Sequence, residues 1–267
     1  MLPTMRDRPA PPRHEGLLAT STNHRRTAMS TWARSALDRS EKLLTVCAPV
    51  DADIASRAGS RLTALTPDDL HTTTTPPVAL LQRALPEGYQ GLGILIWADA
   101  VINATSRETH EEIEMTIAGL CRDHPVSVLC VYDRNGDRDG AGIEHVDLAV
   151  ARHPDGLRGR RLALRRIGDT LYVDGEIEMS NLDVFAAALR ALTDTPPPTV
   201  RIDLEGVTFL AAAAARTLIR DTAPYRDHGT DVEINATPHI TRILQLLDIH
   251  RLPQLHLSCR GVRADTM

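Results

Sequence analysis

Three segments of this chain carry apolar residues at consecutive positions rather than at every second one: residues 42–48 (KLLTVCA), 91–98 (GLGILIWA) and 126–132 (VSVLCVY). A strand with one wet face alternates, whereas a strand covered on both faces reads as an unbroken apolar run. Helix-length stretches separate these runs, and strands alternating with helices build a parallel sheet sandwiched between helical layers. The chain therefore has an α/β fold, and the rest of its pattern has to fit around buried parallel strands.

Around these runs the pattern predicts a strand over 15–21, a helix over 25–37, a short helix over 51–58 and a strand over 61–65. Residues 67–77, with four threonines and three prolines, are expected as a loop, and 78–85 as a short helix. Residues 106–124 carry helical spacing through Ile113, Ile117 and Leu120, and the polar, Gly-containing stretch 133–140 is expected as a turn. The segment 151–160 (ARHPDGLRGR) is polar and broken by Pro and Gly, so a domain boundary is placed there. Beyond it, 162–168 and 170–177 read as a hairpin turned at Gly168-Asp169. A helix over 180–192 capped by Ser180, a strand over 200–204, a helix over 211–222, a strand over 232–235 and a helix over 238–247 follow.

At 267 residues the chain is long enough for two cores, since one core usually serves roughly 100–200 residues. Aromatics make up 3% of the sequence, so those cores are built from Leu, Val, Ile and Ala. Lys42 is the one lysine against an abundance of arginine, a bias of a GC-rich bacterial genome rather than of chemistry. A net charge of −5 argues against a nucleic-acid partner, which calls for a basic face. No apolar run reaches the length of about 18 residues that spans a bilayer, and the first fifteen residues lack the apolar centre of a signal peptide, so a cytoplasmic protein is expected. Cys47, Cys121, Cys130 and Cys259 form no CxxC pair and read as small buried hydrophobes.

Several short motifs stop short of a site. Residues 110–114 (HEEIE) open like the zinc motif HExxH, but Glu114 stands where the second histidine belongs. Residues 88–93 (GYQGLG) have their glycines in the wrong order for a dinucleotide loop, and no GxxxxGK[ST] occurs. Residues 135–140 (NGDRDG) resemble the start of a calcium loop, but the twelfth position is Val146 rather than a glutamate. The eleven histidines are scattered and read as surface residues. No catalytic residue, cofactor or metal ligand is therefore expected.

The segment 200–218 (VRIDLEGVTFLAAAAARTL) resembles the STAS domain, the fold of anti-sigma-factor antagonists and of sulfate-transporter tails. Asp203, Leu204, Gly206, Val207, Phe209 and Leu210 stand at positions matching its strand, and residues 171–178 (LYVDGEIE) and 238–249 resemble its flanking elements. Where the family reads Asp-Ser-Ser/Thr-Gly at the opening of a helix, this chain has Ala211, Ala212, Ala213 and Ala214. The resemblance thus implies docking to an anti-sigma-factor or serine kinase-like protein with the phosphorylated serine replaced by Ala212. Methyl groups accept no phosphate, so the charge that would block docking cannot be installed there. Asp203, Thr208, Ala211 to Ala214 and Arg216 are the docking residues the resemblance implies, Arg216 and Arg220 at its rim, while Thr208 and Thr217 read as structural hydroxyls.

A second resemblance covers most of residues 14–156. Residues 88–102 (GYQGLGILIWADAVI) and 124–134 (HPVSVLCVYDR), then His153-Pro154, with His14 near the start, resemble the MEDS sensory domain. That family has a RecA-like α/β sandwich without the ATP loop and implies sensing of a small one-carbon or hydrocarbon-derived ligand. Gln90 and Gly93 replace its usual arginines, which removes any anion contact those made.

The expected architecture is an unstructured tail (1–13), a RecA-like parallel-sheet sandwich of MEDS type (14–156), a linker (157–161), a small STAS α/β sandwich (162–258) and a tail (259–267). The expected function is non-catalytic signalling, with the first domain receiving a small-molecule ligand or a partner and the second binding a kinase-like anti-sigma factor. Two other readings stay open: a structural adaptor in a multiprotein assembly, and an enzyme with a cleft in the first domain. A homodimer is compatible with either regulatory reading, and no nucleic-acid or membrane partner is expected.

Overall fold

The computed structural model describes residues 14–71, 77–134, 141–153, 156–159, 161–192 and 198–259. These residues fall into two compact units, one made of 14–15 with Asn23–Val131 and the other of Gly16–Thr22 with 132–259. Residues 135–140 of the expected turn, the expected tail at 1–13 and residues 260–267 lie outside the described residues.

The first unit contains the start of β1 (His14–Ala19), then α1 (Thr22–Asp38), β2 (Glu41–Val46), α2 (Ala52–Ala58), β3 (Leu62–Leu65), α3 (Pro67–His71) and α4 (Pro77–Ala84). It continues with β4 (Gly91–Trp97), α5 (Ala98–Ala104), α6 (Arg107–Asp123) and β5 (Val126–Asp133). Its strands run in the order β5-β4-β2-β3, all parallel, with β4 paired to both β2 and β5. The first six residues of β4 are all buried, as a strand covered on both faces requires. One cover is α1, whose Ala33, Ala36 and Leu37 pack with Leu43 of β2 and Ile54 and Ala58 of α2. Gly93 is the contact point: a Cβ there would press on the Ala36 methyl and the Glu41 carboxylate. Glycine at 93 thus lets helix and sheet approach closely.

Two elements of this unit differ from expectation. The supposed loop at 67–77 begins as α3, with Asp69 accepting from the Thr66 amide at 2.7 Å and closing its first turn. Helix α5 follows β4 without a break and was hidden because its Ala98 and Val101 continue the apolar run of the strand.

The second unit contains residues 16–19 of β1, then α7 (Ala141–Arg152), β6 (Leu157–Arg158), β7 (Leu162–Ile167), β8 (Thr170–Ile177) and α8 (Leu182–Arg190). It ends with β9 (Thr199–Leu210), α9 (Ala212–Asp227), β10 (Asp231–Ala236), α10 (Pro238–Leu246) and β11 (Leu255–Cys259). Its strand order is β11-β10-β9-β8-β7-β6-β1. The β7–β8 hairpin turns at Gly168 (φ 56°) and is antiparallel, whereas β8–β9, β9–β10 and β10–β11 are parallel. Helix α8 packs between α7 and α9, and the Tyr225 hydroxyl of α9 reaches the Leu189 and Arg190 carbonyls at 2.8 and 2.9 Å, tying the last turn of α8.

The stretch expected as a linker contains β6, which pairs with Gly16 and Leu17 on one side and Ala163 and Leu164 on the other. Helix α7 lies mostly between the expected turn at 133–140 and the expected boundary at 151–160, where no element was expected, and its Val146, Leu148, Ala149 and Val150 are all buried. Ser180 does not cap α8; its hydroxyl bonds Glu178 at 2.6 Å, and Glu178 with Asn181 forms the capping box of a short 3₁₀ turn ahead of the helix. Strand β11 was missed because an edge strand with a single fully buried residue, Leu255, offers little apolar signal, and its last residue, Cys259, had been placed in the tail. The histidines also divide: His110 and His153 are buried rather than superficial.

At Gly175 the chain has φ 97°, and a Cβ would overlap the Arg161 carbonyl oxygen. Gly175→Ala should therefore destabilise the second unit by about 1–3 kcal/mol, read as a lowered urea midpoint; an unchanged midpoint would mean that the 161–175 contact is not held in solution.

Candidate functional site

Strand β9 governs the candidate site, because its pairing with β8 changes phase twice. Tyr172 faces Asp203 and Asp174 faces Gly206, so β9 spends an extra residue there; Gly175 faces Val207 and Glu176 faces Phe209, so it spends another at Thr208. Each bulge shifts side chains to the opposite face. Alternation therefore runs buried at Val200, Ile202 and Leu204, resumes at Val207, and returns at Leu210, leaving Thr208 and Phe209 both exposed.

Asp203 sits at the first bulge and supports it. Its Oδ1 accepts from the Glu205 amide at 2.9 Å, and its Oδ2 accepts from Asn235 on β10 at 3.5 Å. Gly206 follows at the point where a Cβ would run into the Asp174 carboxylate. At the second bulge, the Thr208 hydroxyl donates to the Gly175 carbonyl at 3.2 Å, anchoring the side chain while leaving the residue exposed. Phe209 is 50% exposed, a large apolar surface to leave in water at the end of a strand.

The chain leaves the sheet at Ala211, whose amide donates to Ile177 at 2.9 Å and whose carbonyl accepts from Ala214 and Ala215. Ala211 is the N-cap of α9, with extended backbone (φ −67°, ψ 147°), and no side chain caps the helix. Ala212 is exposed, Ala213 is half-buried, and Ala214 and Ala215 are buried against the sheet. The expected helix start at Ala211 thus moves by one residue, and the five-alanine run divides into three methyls at least partly open to solvent (Ala211 to Ala213) and two packing methyls (Ala214 and Ala215). Arg216, one turn after Ala212, is exposed. Arg220 is engaged differently: its guanidinium bonds the buried Asp221 at 2.6 and 2.9 Å, which also holds its pKa above the usual arginine range.

Thr208, Phe209, Ala211 to Ala213 and Arg216 therefore border one strand-to-helix turn, with Asp203 behind it as a support rather than on its surface. Thr217 is buried in α9, so Thr208 is the one exposed hydroxyl among residues 200–220. Chemically the turn offers an aromatic face, small apolar side chains, the partial positive charge of a helix N-terminus and a guanidinium at its edge, which is a surface for contact rather than for catalysis. Among the described residues, the one group of histidine, cysteine and carboxylate side chains close enough to share an ion includes His14, Glu114 and Cys130, none of them at this turn. No helix among the described residues is long and apolar enough to cross a membrane.

Alanine is a poor N-cap, and a side-chain oxygen at that position accepts from the helix amides. Ala211→Asp should raise the stability of the second unit by about 0.5–2 kcal/mol, read from urea unfolding; a fall in stability would show that this end of α9 is packed against something other than water.

Comparison with known proteins bears on this region alone. No curated protein matches the chain. A crystal structure of an anti-sigma factor antagonist from Mycobacterium paratuberculosis is similar at 23% identity, covering 36% of this chain and 83% of that one, with a TM-score of 0.31. Residues 161–256 match the family model described as "Mlab, STAS domain". The chain thus carries a STAS domain over residues 161–256.

Proposed function

We propose that this protein is a non-catalytic signalling regulator whose STAS domain docks an anti-sigma factor of the serine-kinase type through the turn between β9 and α9, without phosphate control at that turn. The observation that carries this reading is the pairing of a half-exposed Phe209 with a hydroxyl-free helix start at Ala211 to Ala214. Burying one aromatic ring at the centre of a contact is worth several tenfold steps in affinity, and aromatic and arginine side chains dominate such contacts. Phe209 would be the anchor, Thr208 and Ala211 to Ala213 its surround, and Arg216 a rim contact that sets orientation more than strength.

Control in a serine-bearing domain of this kind would come from a doubly charged phosphate at the helix N-terminus. Ala212 occupies that place with a methyl group, so docking would be constitutive at this turn. Regulation would then fall to the rest of the chain. The likeness of 88–102 and 124–134 to the MEDS domain supports a sensory role for residues 14–156, with a small molecule as input. The segments concerned form β4 running into α5, and β5, which are neighbouring strands of the first unit's sheet.

A negative charge at Ala212 imitates the missing phosphate. In a pulldown from the native host, Ala212→Asp should reduce recovery of a kinase-type anti-sigma factor by about tenfold or more, the equivalent of 1.4 kcal/mol; unchanged recovery would remove this turn from the interface. Incubated with kinases of the same host, residues 200–220 should stay free of phosphate by mass spectrometry, and phosphothreonine at Thr208 would contradict constitutive docking.

A further inference from the structure

Three elements far apart in the sequence bring nitrogen, oxygen and sulfur donors together inside the first unit. Nε2 of His14, at the start of β1, lies 2.9 Å from Oε2 of Glu114 on α6. The same Nε2 lies 3.5 Å from Sγ of Cys130 on β5. The three donor atoms all lie within 4.8 Å of one another. Glu114 is 1% exposed, Cys130 fully buried, and His14 mostly covered. One turn before Glu114, the fully buried His110 places Nε2 at 3.3 Å from Oε1, the other oxygen of the same carboxylate.

We propose that His14, Glu114 and Cys130 are three ligands of a divalent transition metal of the zinc class, and that His110 positions the Glu114 carboxylate for it. Zinc binds His nitrogen and carboxylate oxygen at about 2.0–2.2 Å and thiolate sulfur at about 2.3 Å, so its ligand atoms in a tetrahedral shell stand roughly 3.2–3.8 Å apart. The 2.9 and 3.5 Å separations come close to that shell before any ion draws the side chains into place. The mixture of donors decides the class of metal. A thiolate and an imidazole select zinc, cobalt or iron over magnesium and calcium, which prefer oxygen alone.

The sequence motif at 110–114 takes on a different sense in this setting. HExxH places two ligands at i and i+4 on one helix face; here the pair at the same spacing is His110 and Glu114, of which Glu114 is the ligand and His110 the group that holds its second oxygen. A polar contact to the second oxygen of a ligating carboxylate helps fix its orientation, and losing such an outer contact commonly costs 10–100-fold in metal affinity. The expectation that no metal binds here rested on the missing second histidine, whereas the remaining donors come from β1 and β5.

Without an ion, burial pushes the Cys130 thiol well above its ordinary range, and the nearby Glu114 carboxylate adds to the effect. A bound cation reverses that balance, because it stabilises thiolate and carboxylate together; the Cys130 proton leaves to solvent as the metal–sulfur bond forms.

The probe is Co²⁺ added to the full chain after chelator treatment. One equivalent should saturate it, giving visible ligand-field bands and a near-ultraviolet thiolate-to-cobalt band, with Zn²⁺ displacing both. Cys130→Ser should abolish the near-ultraviolet band, and His14→Gln and Glu114→Gln should each weaken Co²⁺ binding at least tenfold. His110→Gln should weaken binding while keeping the band, and Cys259→Ser, at an exposed cysteine outside this unit, should change nothing. X-ray absorption on the Zn²⁺-loaded wild-type chain covers the case in which a core variant fails to fold. It should show one sulfur among nitrogen and oxygen neighbours. Absence of saturable Co²⁺ binding, a thiolate band that survives Cys130→Ser, or a zinc shell without sulfur would overturn the site.

Discussion

The twofold phase change in β9 is the constraint on which the second unit turns. The eight residues of β8 from Thr170 to Ile177 pair along β9 from Arg201 to Leu210, and the extra residues of β9 are taken up at two bulges. The first needs Asp203 to receive the Glu205 amide and Gly206 to let β8 pass close by; the second needs Thr208 to bond across to Gly175. Together they return Leu210 to the core and deliver Ala211 to the start of α9, which then lays Ala214, Ala215 and Leu218 on the sheet. Exposure of Phe209 is a consequence of the same geometry. A strand without the second bulge would turn that ring inward and present a different surface.

Most of the fold was legible because its determinants are local. Apolar runs marked β2, β4 and β5, Gly168-Asp169 marked the hairpin, and α10 falls within the helix expected over 238–247, its start capped by Thr237 accepting from the Ile240 amide at 3.4 Å. What escaped was set by context. Helix α5 continues an apolar strand without punctuation, and helix α9 carries Pro224 yet runs on to Asp227, with the Thr222 hydroxyl and the Arg226 guanidinium donating to the Leu218 and Ile219 carbonyls. Strand β11 borrows its pairing from β10 and needs little apolar content of its own.

The two sites differ in how much of them a sequence can carry. The β9–α9 turn is contiguous, so residues 203–216 could be named from their likeness to a known pattern, although only the structure separates Asp203 as a support from Phe209 and Arg216 as surface. The His14–Glu114–Cys130 group is not contiguous: His14 and Cys130 fall in segments likened to the MEDS domain, but 116 positions separate them and nothing in the sequence marks them as ligands. A motif search centred on the helix sees His110 and Glu114 as an incomplete zinc site. Partners on other strands supply the missing donors.

The central claim is that the turn at the end of β9 is a contact surface for a kinase-type anti-sigma factor, and a photoreactive phenylalanine analogue at position 209 tests it most directly. Irradiated in the native host, this side chain should form one dominant adduct whose partner, identified by mass spectrometry, carries an ATP-binding serine-kinase-type domain. Adducts only to unrelated proteins, or none while the protein is folded and abundant, would contradict the assignment of this surface.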